Sequence, residues 1–567
     1  MDIDKKNDKN TTEIKKLKTQ ITSLKKNKLF GLVWEEKEED VVSFSKENIP
    51  VLRENQKNEI IHSLKESNYQ YIIEGDNYPA LSALNISHTK KFDVIYIDPP
   101  YNTGNKDFIF NDKIVEPDDS FRHSKWLSFM HSRLTTAKNL LAKGGLIFIS
   151  IDDNEQAQLT QLADEVFGTS KKVGPLIWFY EGVNDNAAFI KKTHEYILCY
   201  SVDDNPSLSN ELIDNNVKLS DNIENSVVKN GPKNPKSTIL LPKGFPAEIK
   251  NGVIKKKDIN SLEVDKDIKI KNFKLAEEVS ITSGWSSRDI LEEFINYNFK
   301  PVLDSKNQTT TFIIKKSGNI SYTKVRSTSH IISVLRNLGT TQNSSEELKQ
   351  MGLDFSFPKP KGLIKYLLQF HSNKNAVVLD FFAGSGTTGH AVLELNKEDG
   401  GNRQFILVTN NENNIAEEVT YPRLKNVLNG YKNLKNEKID GLGGNLKYYE
   451  IDFVPADNSD PSMYELAINL VDTLCLKENT FTEHHTSKDI KIFKNEENHY
   501  CCIVFDEDKI DQALQKLNNT DGSYSFYIYS LGGETFDEEL EDFISEHPNT
   551  ISTPFPSTMK NIYKSLK

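Results

Sequence analysis

Short apolar runs separated by stretches with helical spacing recur in two parts of the chain. Tyr71-Ile72-Ile73, Phe92 to Ile97, Leu146 to Ile151, Ile177 to Tyr180 and Tyr196 to Tyr200 are nearly continuous apolar runs rich in β-branched and aromatic residues. That is the pattern of strands buried on both faces. Pro79 suits the first turn of a helix running through Leu84. Leu127, Met130, Leu134, Ala137 and Leu141 recur at helical spacing from Trp126, and Gly144-Gly145 reads as the C-cap of that helix. A second block predicts a helix over Gly362 to Phe370, a strand over Ala376 to Leu379 and another over Phe405 to Val408. Ser344-x-x-Glu347 reads as a capping box for a short helix just before that block. Strands alternating with helices predict an α/β, doubly wound parallel sheet.

The alternation fails between the blocks, over residues 205–354, where Asn, Ser and Lys abound, as in KNGPKNPKS (229–237). Trp285, Arg288, Phe312, Tyr322, Arg326 and Arg336 are interspersed there. Cations beside aromatic rings are what a nucleic-acid groove needs, to neutralise phosphate and contact bases. Residues 1–44 are charged and helical in pattern. Ile14, Leu17, Ile21 and Leu24 form a short a/d seam, and EEKEED (35–40) reads as a solvated acidic stretch. Residues 441–567 predict a smaller region with strands at Ile490 to Phe493, Tyr500 to Phe505 and Tyr524 to Tyr529, and a helix near Asp508 to Leu517. The expected domains are therefore 1–44, 45–204, 205–354, 355–440 and 441–567.

Two strand ends carry chemistry. The Phe92–Ile97 run stops at Asp98, and Pro99-Pro100 cannot continue a ladder because neither donates a backbone hydrogen. A carboxylate, two rigid residues and the Tyr101 ring thus project from the carboxyl end of a strand, where open α/β sheets bind ligands. The Ala376–Leu379 run ends at Asp380, followed by Gly384-Ser385-Gly386 and a helix start. Glycines there let backbone approach a ligand closely. No Lys follows them, so this is not an ATP-type phosphate loop.

Composition narrows the classes. The 567 residues allow three or four domains, and 37% hydrophobic residues suffice for ordinary cores. No run approaches 18 apolar residues, and the charged start MDIDKKNDKN has no apolar signal segment, so a cytoplasmic protein without a membrane span is expected. The net charge of −12 argues against unspecific coating of nucleic acid but not against a local basic groove. Cys199, Cys475, Cys501 and Cys502 form no CxxC pair, so reduced thiols and no metal site are expected, with Cys501-Cys502 inside a strand.

DPPY at Asp98–Tyr101 and DFFAGSGTT at Asp380–Thr388 resemble the catalytic and cofactor motifs of S-adenosylmethionine-dependent DNA amino-methyltransferases, in the order of the β class. GLVWEEKEEDVV (31–42), EGDNYPALSAL (74–84), YIDPPYNTGNKDFIFND (96–112), GTTQNSSEEL (339–348) and FPKPKGLIKYLL (357–368) resemble the modification (Mod) subunit of type III restriction–modification systems. The resemblance covers most of residues 31–430. It implies a circularly permuted Rossmann-like methyltransferase sheet, with a catalytic half at 45–204 and a cofactor half at 355–440. Residues 205–354 would then be an inserted target-recognition domain, and 441–567 a smaller α+β domain for dimer or partner contact.

It also implies an enzyme that methylates adenine N6 in double-stranded DNA and recognises its own site, in a bacterial cytoplasm. A homodimer and a separate ATP-dependent restriction subunit are the implied partners. Asp98, Pro99, Pro100 and Tyr101 would be catalytic. Asp98 and the Pro99 carbonyl would accept hydrogens from the target amine, and Tyr101 would stack on the base once extruded, with Phe110 or Phe108 on its other side. S-adenosyl-L-methionine would be held by Asp380 at its ammonium, Asp76 at its adenine and Phe382 nearby, with the turn from Gly384 through Ser385 and Gly386 to Thr387 approaching it by backbone. Relatives often carry an acid directly after the strand equivalent to Phe405–Val408; here Thr409-Asn410-Asn411 intervenes before Glu412, the candidate at the ribose. No cysteine follows a proline, which disfavours cytosine C5 chemistry. Two alternatives stay open: a solitary adenine-N6 or cytosine-N4 methyltransferase, and a DNA-specificity subunit whose methylation is dispensable.

Overall fold

The computed structural model describes residues 34–63, 68–180, 190–209, 223–260, 262–305, 308–324, 331–457 and 459–566. The a/d seam at Ile14 to Leu24 and Arg326 lie outside them. The chain forms two compact units, Leu208–Leu338 and the segments on either side of it, up to Ser207 and from Gly339.

The larger unit is organised on one sheet. Its strands are β1 (Asn48–Glu54), β2 (Tyr69–Glu74), β3 (Phe92–Ile97), β4 (Leu141–Ile151), β5 (Lys172–Phe179), β6 (His194–Ser201), β7 (Val377–Asp380), β8 (Gln404–Thr409) and β9 (Asn445–Pro455). They lie in the order β1-β9-β2-β8-β7-β3-β4-β6-β5. From β9 to β4 every pairing is parallel. β1 closes one side antiparallel, and β6 with β5 closes the other.

Two-sided burial follows from the apolar runs. Ile73, Ile95, Ile97, Ile147 and Ile149 face one core with Leu81 and Leu84 of α1 (Asn77–Ser87), Trp126 and Met130 of α2 (Arg122–Lys138), and Leu159 and Leu162 of α3 (Gln156–Phe167). Alternate residues face the opposite layer. There α4 (Lys361–Leu368), α5 (Thr387–Asp399) and α6 (Tyr421–Asn429) follow in the chain. A Cβ on Gly389 of α5 would sit 3.0 Å from Phe405, 3.1 Å from Leu407 and 2.9 Å from Leu424 of α6, so any side chain there would crowd this helix–sheet contact.

The central pair places the site. From β7 the chain passes through α5 to β8 on one side; from β3 it passes through α2 to β4 on the other. Connections that leave neighbouring parallel strands in opposite directions open a crevice at their carboxyl ends. Asp98 and Asp380 both follow or end those two strands, which pair directly at Val378–Val94 and Leu379–Ile95.

Several local expectations change. Helix α2 ends at Lys138, and Gly144-Gly145 lies inside β4, where Gly144 adopts φ 77° and its N–H donates to the Asp203 carboxylate. The glycines bend a strand; they do not cap the helix. The capping pair also moves. Thr340 Oγ1 accepts from the Asn343 N–H at 3.2 Å, whereas Ser344 lies inside the helix Thr341–Gln350 and Glu347 reaches Lys361. β1 contains Pro50, which weakened its strand pattern; an edge position tolerates it. Glu39, read as solvated, forms a two-pronged pair with the fully buried Arg133 at 2.8 Å on both prongs. The cut expected at 441 meets β9, whose Leu446, Tyr448 and Tyr449 are completely buried in the central sheet.

The C-terminal region carries a second sheet, Thr482–Thr486, Ile490–Lys494, His499–Val504, Ser523–Ser530 and Thr550–Pro556 in that order. Cys501 and Cys502 sit side by side in it, unpaired, each in a different core as strand alternation demands. The region docks on β1: the Leu52 N–H donates to Thr473 Oγ1 at 3.3 Å and the Glu54 N–H to Asp472 at 2.9 Å.

The smaller unit holds short antiparallel sheets around Phe245, Ile268, Ile281, Phe294 and Ile314. Trp285 and Phe312, expected among the exposed rings of a groove, are 6% and 1% exposed and belong to this core. Tyr322 is half-buried with the Lys324 ammonium 5.0 Å over its ring, and Arg288 pairs with Glu292 at 2.8 Å. Among the described residues, no helix is long and apolar enough to cross a membrane.

Candidate active site

The crevice floor is laced by backbone. The Gly75 N–H donates to Thr409 O at 3.0 Å, the Ala383 N–H to Val408 O at 3.1 Å, and Asn77 Nδ2 to Phe381 O at 3.2 Å. The loops after β2, β7 and β8 are therefore held as one rim.

On the β7 side, Gly384 and Gly386 take φ 49° and 75°, the left-handed region that side chains resist. Asp380 ends β7 and is 2% exposed. Its Oδ1 accepts from the Phe382 N–H at 3.0 Å and its Oδ2 from the Thr388 hydroxyl, so it ties the strand end to the first turn of α5. Burial raises its carboxyl to about 7, with a small push from Asp98, against the two hydrogen bonds. Ser385 and Thr387 turn their hydroxyls inward to Arg423 Nη1, at 3.0 and 2.7 Å. What those two residues offer a ligand is backbone. Arg423 is fully buried, and burial lowers its guanidinium to about 10 against the charges of Glu347 and Glu394. Thr420 Oγ1 donates to Gly384 O at 2.5 Å, which clamps the turn from behind.

Asp76 caps α1: its Oδ1 accepts from the Tyr78 N–H at 2.8 Å and from Arg133 at 3.3 Å. Its side chain stays 39% exposed. Burial alone would lower the Arg133 guanidinium, but Asp76 and Glu39 outweigh it and hold it raised. Phe382 is half-buried, 5.9 Å from Phe129 ring to ring. Glu412 is exposed, and its carboxylate accepts from Asn410 Nδ2 at 3.4 Å.

On the β3 side the structure gathers a cluster that sequence reasoning only half found. Lys359 Nζ lies 3.0 Å from Asp98 Oδ1 and 3.2 Å from Glu195 Oε2, and donates to the Tyr101 hydroxyl at 2.8 Å. That hydroxyl is 2.8 Å from Asp98 Oδ1 and 3.0 Å from Glu195 Oε2. Burial pulls the Lys359 ammonium down, yet the two carboxylates outweigh it and leave it raised. Burial, then Asp98 and Glu195, push the Tyr101 hydroxyl well above its ordinary range. Asp98 thus spends Oδ1 on its neighbours, and its Oδ2 has no hydrogen-bond partner among the described residues. The Pro100 carbonyl accepts from Trp126 Nε1 at 2.7 Å, whereas the Pro99 carbonyl has no hydrogen-bond partner among the described residues. Phe108 and Phe110 are 2% and 7% exposed and pack in the core beside Phe129. Lys359 sits between Pro358 and Pro360, and the signal that might have revealed it is that spacing: a cation locked by two prolines just before a helix.

The family model described as DNA methylase, of the N6/N4 type, matches residues 92–419. The chain is 35% identical over 398 residues to the type III restriction-modification enzyme EcoPI Mod subunit of Escherichia phage P1, covering 62% of this chain and 59% of that one. It is 29% identical over 437 residues to the StyLTI Mod subunit of Salmonella typhimurium, covering 70% and 59%. It is 29% identical over 403 residues to the type II methyltransferase M.KpnI of Klebsiella pneumoniae, covering 66% and 91%. The chain spans about three fifths of the length of the two Mod subunits.

Proposed function

The chain belongs to the N6/N4 DNA methylase family, and from that premise we propose that it methylates adenine N6 in double-stranded DNA as the modification and recognition subunit of a type III restriction–modification system. The observation that carries the reading is the half-engaged Asp98 carboxylate, with one oxygen held by Lys359 and Tyr101 and the other open, at a strand end beside the glycine turn.

The cofactor of that reaction is S-adenosyl-L-methionine, and the donor set on the β7 side fits it. Asp76 offers a part-exposed carboxylate, Phe382 a half-buried ring, and Gly384–Thr387 a close backbone approach at the start of a 13-residue helix. Asp380 ties the turn and, when ionised, adds a negative charge beneath it that favours the cofactor's ammonium. When bound, the cofactor supplies a methyl group on a positively charged sulfur. The protein's part is positioning. An exocyclic amine is a poor nucleophile while its lone pair is shared with the ring. Asp98 Oδ2 and the Pro99 carbonyl accept its two hydrogens, which favours a tetrahedral nitrogen and aims its lone pair toward the β7 side. Asp98 then takes up or relays the proton that the alkylated nitrogen sheds. The Tyr101 ring carries the extruded base. The order of the parallel strands supports reading the sheet as a circularly permuted methyltransferase, and we read Leu208–Leu338 as its inserted target-recognition unit. A homodimer and a separate ATP-dependent restriction subunit are the partners this reading requires.

A second reading, a solitary amino-methyltransferase, is favoured by one observation: the likeness to M.KpnI extends over 91% of that protein. Sequencing host DNA for modified bases, with and without this chain, tests both. Modified adenines at one site that vanish with the gene are expected. Unchanged modification, together with no transfer of labelled methyl to DNA by the pure protein, overturns the reading.

The raised Asp380 carboxyl gives a pH test. Its charged form favours a cationic ligand, so as pH falls through about 7 the carboxyl takes up a proton and that attraction is lost. Calorimetric affinity for S-adenosylmethionine is expected to weaken below pH 7, by up to about tenfold per unit. Asp380→Asn should bind weakly at every pH, with a flat profile. A flat profile in the parent would remove Asp380 from cofactor binding.

A further inference from the structure

The segment Phe355 to Pro360 links the two sides of the crevice. Its first ring, Phe355, has its Cζ 3.4 Å from where a Cβ on Gly384 would stand. Lys359, near its other end, has its ammonium 3.0 Å from Asp98. Phe357 lies two residues from each anchor, within roughly 7 Å of either along the chain. Pro358, Lys359 and Pro360 are buried, yet Phe357 is 79% exposed, the most exposed large hydrophobic side chain among the described residues. Its backbone adopts φ 58°, an unusual conformation for an aromatic residue and one that persists only where the surroundings impose it. A ring held in an unfavourable backbone state and facing water, on the segment that runs from the contact with the glycine turn to the contact with Asp98, has no role in the core.

An extruded base has two faces. Tyr101 serves one, and Phe108 and Phe110 are consumed by the core. We propose that Phe357 is the second stacking surface for the target base, opposite Tyr101. The proposal rests on the methyltransferase reading above. The prolines on either side of Lys359 fix the backbone next to Phe357, so the same short segment steadies Asp98 through its ammonium and presents a ring to the base that Asp98 must engage.

The test uses the full-length protein, labelled S-adenosylmethionine and a duplex built on the site mapped from host DNA. Phe357→Ala should lower kcat/KM for DNA by about 5- to 150-fold, the range expected for one base–aromatic stack, with cofactor affinity unchanged. Phe357→Trp should stay within about threefold of the parent. With 2-aminopurine at the target position, the parent complex should show a short-lived, stacked component whose share falls in Phe357→Ala, where Tyr101 alone still stacks on the base. The loss in Phe357→Ala should persist on a duplex whose target faces an abasic position. If that duplex restores the rate, the ring acts in opening the helix and not in holding the base, and the proposal falls. If the parent transfers methyl groups and Phe357→Ala matches it, the proposal alone falls. If the parent transfers none to any DNA, the methyltransferase reading falls, and this proposal with it.

Discussion

Asp98→Asn should be as inactive as Asp98→Ala, with methyl transfer reduced by about 10²- to 10⁴-fold in both. The two substitutions fail for different reasons, and the geometry says why. Alanine removes the acceptor outright. Asparagine keeps the shape, but Lys359 and Tyr101 both point hydrogens at the Oδ1 position, so the amide oxygen must settle there. The amide NH₂ then occupies the open side, and it meets the substrate amine donor against donor. Neither variant should lose the fold, because the Lys359 ammonium keeps Glu195 at 3.2 Å. Single-turnover transfer of labelled methyl, with cofactor and DNA binding measured separately, checks this. Binding should stay within about threefold of the parent while the rate collapses, the signature of an interaction made in the transition state. An asparagine variant with near-parental rate would mean that Asp98 Oδ2 does not face the amine.

How much was legible beforehand depended on whether the chemistry lay along the chain or across it. Phe92 to Asp98 and Ala376 to Asp380 announced themselves because a doubly buried strand is a contiguous apolar run, and because prolines and glycines punctuate the strand ends. Their adjacency in the sheet, from positions so far apart, came from a family resemblance and is now visible in the Val378–Val94 pairing. The strands at the β1 side were harder. β1 has a proline near its middle, and β9 follows a glycine-rich stretch that looked like a boundary; both owe their place to partners that local pattern does not name. Capping went wrong for a similar reason. Ser344 and Glu347 have the right spacing, but Glu347 is drawn to Lys361, and Thr340 takes the cap. Trp285 and Phe312 looked like base-contacting rings because composition cannot distinguish a ring beside a lysine in sequence from one beneath a sheet in space. Lys359 and Glu195 escaped notice altogether. One sits on a loop and the other is the second residue of β6, and nothing in either local sequence refers to Asp98.

That last pair supports the second large effect. Lys359→Met should lower turnover by about 10²-fold or more while leaving cofactor affinity within about twofold. A single ammonium lies within 3.2 Å of two carboxylates, and it also donates to the one phenol that bridges them. Without it, Asp98 and Glu195 face each other across the Tyr101 hydroxyl, which has one hydrogen to give. Like charges so placed move apart or disorder. Asp98 would no longer hold a single orientation, and in the proposed mechanism it is orientation toward the incoming amine that Asp98 contributes. Breaking a fully buried pair costs about 3–5 kcal/mol; here the cost in urea unfolding should be smaller, since Asp98 keeps 25% of its side chain in water. A merely structural lysine would show that stability loss too, so the deciding experiment is a cycle with Glu195→Gln. If repulsion is the damage, Lys359→Met with Glu195→Gln should recover at least tenfold of the lost rate, because one charge is gone and the amide can still bond Tyr101. Lys359→Arg should not recover it: a guanidinium is broader than the point charge that Pro358 and Pro360 hold between the two acids. If the two substitutions instead act additively, Lys359 and Glu195 do not work through one another, and Asp98 is oriented by something other than this ammonium.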